Sequence, residues 1–189
     1  MKRVVCDIET FSEADLRKTG AARYAEHPSA RILMVSWGIE GERDLHTWDE
    51  SQDETNRERF LSILTDAAYM VSAWNARFEW TLFKHVWDVE LPFSRLHCDM
   101  TAALSLGLPA SLKQCGEALG FTAEDLKLDT GTRLITKFSK PRRPSKNKPH
   151  TRCTHQTDPA DWAAYVHYNR QDVGAEARIY GRIKRWAQC

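Results

Sequence analysis

Two carboxylates, Asp7 and Glu9, stand two positions apart in the run that opens the chain. If residues 3–8 form a strand, alternation puts both acids on one face and Cys6 and Ile8 on the other. Side-by-side carboxylates repel unless a cation sits between them. A D-x-E pair is common, however, and a strand ending in a solvated acidic turn also shows one. Glu79, in AWNARFEW, follows a buried strand and falls in the first turn of a helix. The helix dipole favours an acid there whatever its function. Asn75 stands at the helix N-cap, or else contacts substrate. Asp172 lies in YVHYNRQDVGAEARIY, inside the last helix. Tyr168 precedes it by four residues and shares its face. His167 precedes it by five and sits about 140° round an ideal helix. Read alone, Asp172 is the solvated acid of an amphipathic helix.

The elements that must position these groups follow from the apolar pattern. Strands are expected at 3–8, 31–38, 43–48 and 68–72, with a short one at 95–98. Helices are expected at 53–66, from Asn75 through Val86, at 99–106 and at 111–119. Residues 129–158 carry Pro141, Pro144 and Pro149 with little apolar content and read as a long loop. Asp158-Pro159 then supplies an N-cap and a first-turn proline for the final helix. The expectation is one domain over 1–189, an α/β fold with a mixed sheet flanked by helices.

Bulk composition excludes more than it assigns. With 27 basic and 26 acidic side chains, the net charge of +1 points to no partner. Five scattered cysteines without a C-x-x-C pair argue against a disulfide framework and for a reducing compartment. No stretch is long and apolar enough to span a membrane, and MKRVVCDIET lacks the apolar core of a secretory signal. A cytoplasmic protein with no membrane partner is expected.

Taken together, the three acidic motifs are far more specific than any one of them. DIET at 7–10, WNARFEW at 74–80 and YNRQDV at 168–173 occur in that order. The chain resembles the DEDD superfamily of 3′→5′ exonucleases, and most closely the proofreading exonuclease domain of bacteriophage family A DNA polymerases. The segment LITKFSKPRRPSKNKPHTR at 134–152 is similar to the loop those domains carry before the third motif. The resemblance implies a ribonuclease H-like fold, three antiparallel strands joined to parallel ones. It also implies hydrolysis of single-stranded DNA from its 3′ end, and a DNA polymerase as subunit or neighbouring domain. Most members have aspartate where this chain has Glu79. The chain stops at KRWAQC, which fits either an excised domain or a separate subunit.

Two divalent ions about 4 Å apart stabilise attacking and leaving oxygens in phosphodiester hydrolysis. All-oxygen ligands favour Mg²⁺ or Mn²⁺. Asp7, Glu9 and Asp172 are expected on one ion, with Asp7 bridging to a second held by Glu79 directly or through water. The family orients the attacking water with Tyr in Y-x-x-x-D or His in H-x-x-x-x-D. Both spacings exist here, and a continuous helix favours Tyr168 over His167.

From Lys137 to Arg152 there are seven Lys or Arg and no Asp or Glu, a run able to neutralise phosphates. Lys140, Arg142 and Arg143 are its expected DNA contacts, the alternative being a solvated loop. Phe11 and Trp74 adjoin the acidic motifs and would stack on a terminal base unless they serve as core. His150, Cys153 and His155 have no well-spaced fourth ligand for zinc. Two other functions fit the same residues: a 3′→5′ exoribonuclease, and a catalytically silent module that binds DNA ends.

Overall fold

The computed structural model describes residues 1–122, 131–144 and 151–186. Its strands are β1 (Lys2–Phe11), β2 (Arg31–Ile39), β3 (Leu45–Asp49), β4 (Tyr69–Ala73) and β5 (Leu96–Cys98), in the spatial order β3-β2-β1-β4-β5. β1 pairs antiparallel with β2, and β2 with β3; β4 runs parallel to both β1 and β5. This is the antiparallel trio joined to parallel strands that the resemblance implies. Among the described residues seven helices cover the sheet: α1 (Leu16–Glu26), α2 (Thr55–Thr65), α3 (Ala76–Trp87), α4 (Asp99–Ser105), α5 (Leu112–Ala118), α6 (Gly131–Phe138) and α7 (Pro159–Ile183). None of them is long and apolar enough to cross a membrane.

β1 is central, and its alternation sorts the two layers. Val4, Cys6 and Ile8 enter one core with Trp37, Phe60, Leu64, Leu82 and Phe83. Phe11, on the Asp7–Glu9 face, enters a second core under α6 and α7 with Leu134, Phe138, Trp162 and Tyr165. The β1–β2 register slips near the site: Glu9 pairs with Met34 but Thr10 with Ile32, leaving Leu33 as the extra residue. That bulge lets two consecutive side chains, Leu33 and Met34, both enter the second core.

Four elements depart from the sequence expectation, the first being β1, which runs on to Phe11 instead of ending at residue 8. β3 starts at Leu45, because Arg43 and Asp44 belong to the preceding exposed connection. α1 has no apolar stripe to reveal it: only Tyr24 and Ala25 are buried, Asp15 caps it, and Gly20 interrupts it at φ 75°. α6 occupies part of the expected 129–158 loop. Its Leu134 and Phe138, four residues apart, bury against α7, a signal masked by the prolines that follow. Residues 129–130 and 145–150 of that loop lie outside the described residues.

Arg95 fastens the sheet edge to α2. Its buried guanidinium donates to the carbonyls of Tyr69 (2.8 Å), Leu64 (2.9 Å) and Ile63 (3.1 Å). Arg95→Met strands those acceptors and should lower unfolding stability by about 2–4 kcal/mol. Urea titration reads this as a lower midpoint at unchanged slope; an unmoved midpoint refutes the anchoring role.

Candidate active site

Asp7 and Glu9 project from the middle of β1, Glu79 from the first turn of α3, and Asp172 from the middle of α7. The chain reaches Glu79 by a tight exit from β4: Ala73 ends the strand and α3 starts at Ala76. The four acids lie within electrostatic range of one another, since Asp172, Glu9 and Glu79 all act on Asp7. So the structure gathers the four acidic residues singled out in the sequence at one place. Asn75 sits at the N-cap position but its side chain makes no capping bond and is exposed.

Three of these acids accept from α7 side chains. Asn169 Nδ2 donates to Asp7 Oδ2 at 2.6 Å, the Tyr165 hydroxyl to Glu9, and the Tyr168 hydroxyl to Asp172. Glu79 Oε2 and Asp172 Oδ1 are buried with no partner. Tyr165, Tyr168 and Asn169 precede Asp172 by seven, four and three residues, which is one helical face. Tyr165 and Asn169 were missed as site residues. Their spacing from Asp172 was the available signal, because polar groups recurring on the stripe that should be core call for buried partners. His167 is exposed, off that face.

Burial disfavours every negative charge here. It pushes Glu9 and Glu79 up to about 8 and Asp172 up to about 7. Asp7 is raised well above the carboxylate range by burial, then by Asp172, Glu9 and Glu79, while Asn169 partly offsets this. Burial, and then the charge of Asp172, also raise Tyr168, which therefore keeps its proton and acts as a donor.

The acids suit hard dications on this chemistry: desolvated, mutually repelling carboxylates with two unpartnered oxygens. Among the described residues no three His, Cys, Asp or Glu side chains already converge as a finished ligand set. Asp7, Glu9 and Asp172 are instead turned toward their hydrogen-bond donors.

Beside Glu9 opens a cavity of about 510 Å³. Leu16, Tyr24, Phe78 and Ile135 form its apolar wall, and Ser12, Glu13, Asp15, Arg17, Ser139 and Lys140 its polar rim. The other residues expected to touch nucleic acid fare differently. Phe11 is a core residue, not a base platform: its ring is 3% exposed because the β1 alternation drives it under α6 and α7. Trp74 is half-buried, packs against the α4–α5 cluster, and donates its indole N–H to the Ala110 carbonyl at 2.7 Å. Lys140 and Arg143 are exposed, whereas Arg142 Nη1 turns back to Cys153 Sγ at 3.5 Å. Cys153 is buried in the second core; His150 lies outside the described residues.

Residues 27–184 match the family model of the RNase_H superfamily. The chain belongs to the RNase H superfamily. It is an RNase H-like nuclease domain, and nucleases of this fold generally use divalent metals. The matched span contains Glu79 and Asp172 and begins after Asp7 and Glu9. A DNA polymerase of Bacillus phage SP02 is 33% identical over 187 residues, 98% of this chain but 28% of that protein. A solved structure described as the apo form of the nuclease aligns with 99% of this chain and 78% of its own at 18% identity. Its TM-score of 0.44 is too low to carry weight.

The raised carboxyls predict an inverted pH profile. Each binds protons more tightly folded than unfolded, so their contribution to stability is present below about pH 4 and is lost as pH rises through about 7–8. Melting in EDTA should therefore fall with pH across that window. Glu79→Gln removes one titration and should make the decline shallower; a slope equal to wild type counts against the buried acid cluster.

Proposed function

We propose that this RNase H-like domain is a two-metal 3′→5′ exonuclease acting on the 3′ ends of single-stranded DNA, and that it proofreads beside a DNA polymerase. The observation that carries the reading is the meeting of Asp7, Glu9, Glu79 and Asp172, with Glu9 lining a cavity large enough for a terminal nucleotide. Similarity to a phage DNA polymerase supports the partner and a site of action in the host cytoplasm. We read residues 1–189 as one functional domain on the same grounds.

Asp7, Glu9 and Asp172 would hold one Mg²⁺ or Mn²⁺, and Asp7 with Glu79 a second. When bound, such ions supply positive charge to the attacking and leaving oxygens. The chain's own groups do the rest. The Leu16–Phe78–Ile135 wall takes the terminal base and excludes water, and Lys140 faces the strand's phosphates. Tyr168 donates its hydroxyl proton to Asp172, since burial keeps it protonated, and orients the attacking water by accepting a hydrogen bond from it. Asn169 and Tyr165 fix the rotamers of Asp7 and Glu9.

The test uses strands labelled at the 5′ end, with matched RNA as a second substrate. A ladder shortening from the 3′ end, abolished by EDTA and restored by Mg²⁺ or Mn²⁺, is expected. Preference for RNA would make the domain an exoribonuclease, and binding without cleavage a silent module. Asp7→Ala should remove nearly all turnover. Tyr168→Phe should slow single turnover by roughly 10²-fold or less, while His167→Ala leaves it near wild type. The reverse order would transfer the water to His167.

A further inference from the structure

Gly131 opens α6 with its backbone against the ring of Tyr168. A Cβ at this position would stand 2.3 Å from Cζ, 2.4 Å from Cε2 and 2.7 Å from the hydroxyl oxygen. Those separations are far inside van der Waals contact. Gly131 belongs to the helix α6, a backbone that does not require glycine; the space does.

Neither partner is free to give way. The Tyr168 ring lies nearly parallel to that of Tyr165 (6.5 Å, 14°), and its hydroxyl bonds to Asp172. On the other side α6 is clamped to α7. The Phe138 ring lies 5.1 Å from Trp162 and 5.3 Å from Tyr165. Lys137 Nζ reaches both Asp158 and Asp161 at 2.6 Å, and Arg133 pairs with Asp161 at 2.9 Å.

We infer that Gly131 is a positioning residue: its missing side chain forms the slot that seats the Tyr168 ring and sets its hydroxyl on Asp172. The inference rests on the water-orienting reading of Tyr168. The slot explains why a helix begins on a residue that weakens helices. Alanine is the better helix former, so propensity alone predicts that Gly131→Ala raises stability, whereas an occupied slot predicts that it falls.

The decisive experiment is a double-mutant cycle on the full chain: Gly131→Ala and Tyr168→Ala, singly and together. Single-turnover cleavage, single-stranded DNA affinity and unfolding midpoint are read for each. Gly131→Ala should slow cleavage toward the Tyr168→Ala rate, a loss of roughly 10–100-fold, with affinity nearly unchanged and a lower midpoint. In the Tyr168→Ala background the slot is empty, so adding Gly131→Ala should neither slow cleavage further nor lower the midpoint. Equal effects in both backgrounds overturn the inference. So does a slow Tyr168→Ala beside a fast Gly131→Ala, which leaves the role of Tyr168 standing. A Tyr168→Ala enzyme at wild-type rate instead removes the water-orienting reading and this inference with it.

Discussion

Burial of four neighbouring carboxyl groups, with repulsion added at Asp7 and Glu9, is the constraint on which the rest of this structure depends. Two unit charges 4 Å apart interact by about 4 kcal/mol at an effective dielectric of 20, a large fraction of the stability of a typical domain. A cluster of this kind persists only on a frame held from several sides. β1 supplies that frame: it is paired along both edges and buried on both faces. The acids it carries are met by donors from one helix, so α7 both completes the cluster and restrains it.

Below that layer lies a second ionic layer built from the same two elements. Arg3, four residues before Asp7 on β1, pairs with buried Asp99 and stacks 3.6 Å over the Tyr180 ring. Glu176, four residues after Asp172 on α7, is buried and hydrogen-bonds to Asp99. Burial, and then the charge of Asp99, push Glu176 well above the carboxylate range, so Glu176 keeps its proton in this dry setting. β1 and α7 are thus stitched together twice, and the lower stitch limits how far the upper acids can move apart.

The sequence was most readable where local geometry alone fixes direction. Strand alternation put Asp7 and Glu9 on one face and Cys6 and Ile8 on the other, and helix spacing chose Tyr168 over His167 as the neighbour of Asp172. It was least readable where tertiary partners decide. Phe11 beside an acidic motif reads equally as a base platform or as core, and only the cover of α6 and α7 makes it core. α6 itself was hidden because two apolar anchors, Leu134 and Phe138, are a weak periodic signal before a proline-rich run. α1 gave no signal because it buries little. Tyr165 and Asn169 looked like ordinary helix residues until the strand acids they serve were placed opposite them.

The register slip at Leu33 gives this chain an uneven tolerance for change in length. Because β2 carries one residue more than its partner, everything from Leu33 toward the start of that strand is offset by one step from regular pairing. Removing Leu33 would restore an unbroken ladder, with Ile32 still opposite Thr10 and Arg31 still opposite Phe11. Ile32 would keep its place in the first core, but the second core would lose the neighbour of Met34 on which α6 and α7 close. Trimming Leu33 to a smaller side chain only opens a void. A one-residue shortening of β2 thus reaches the acid cluster through packing, without touching any residue that does chemistry.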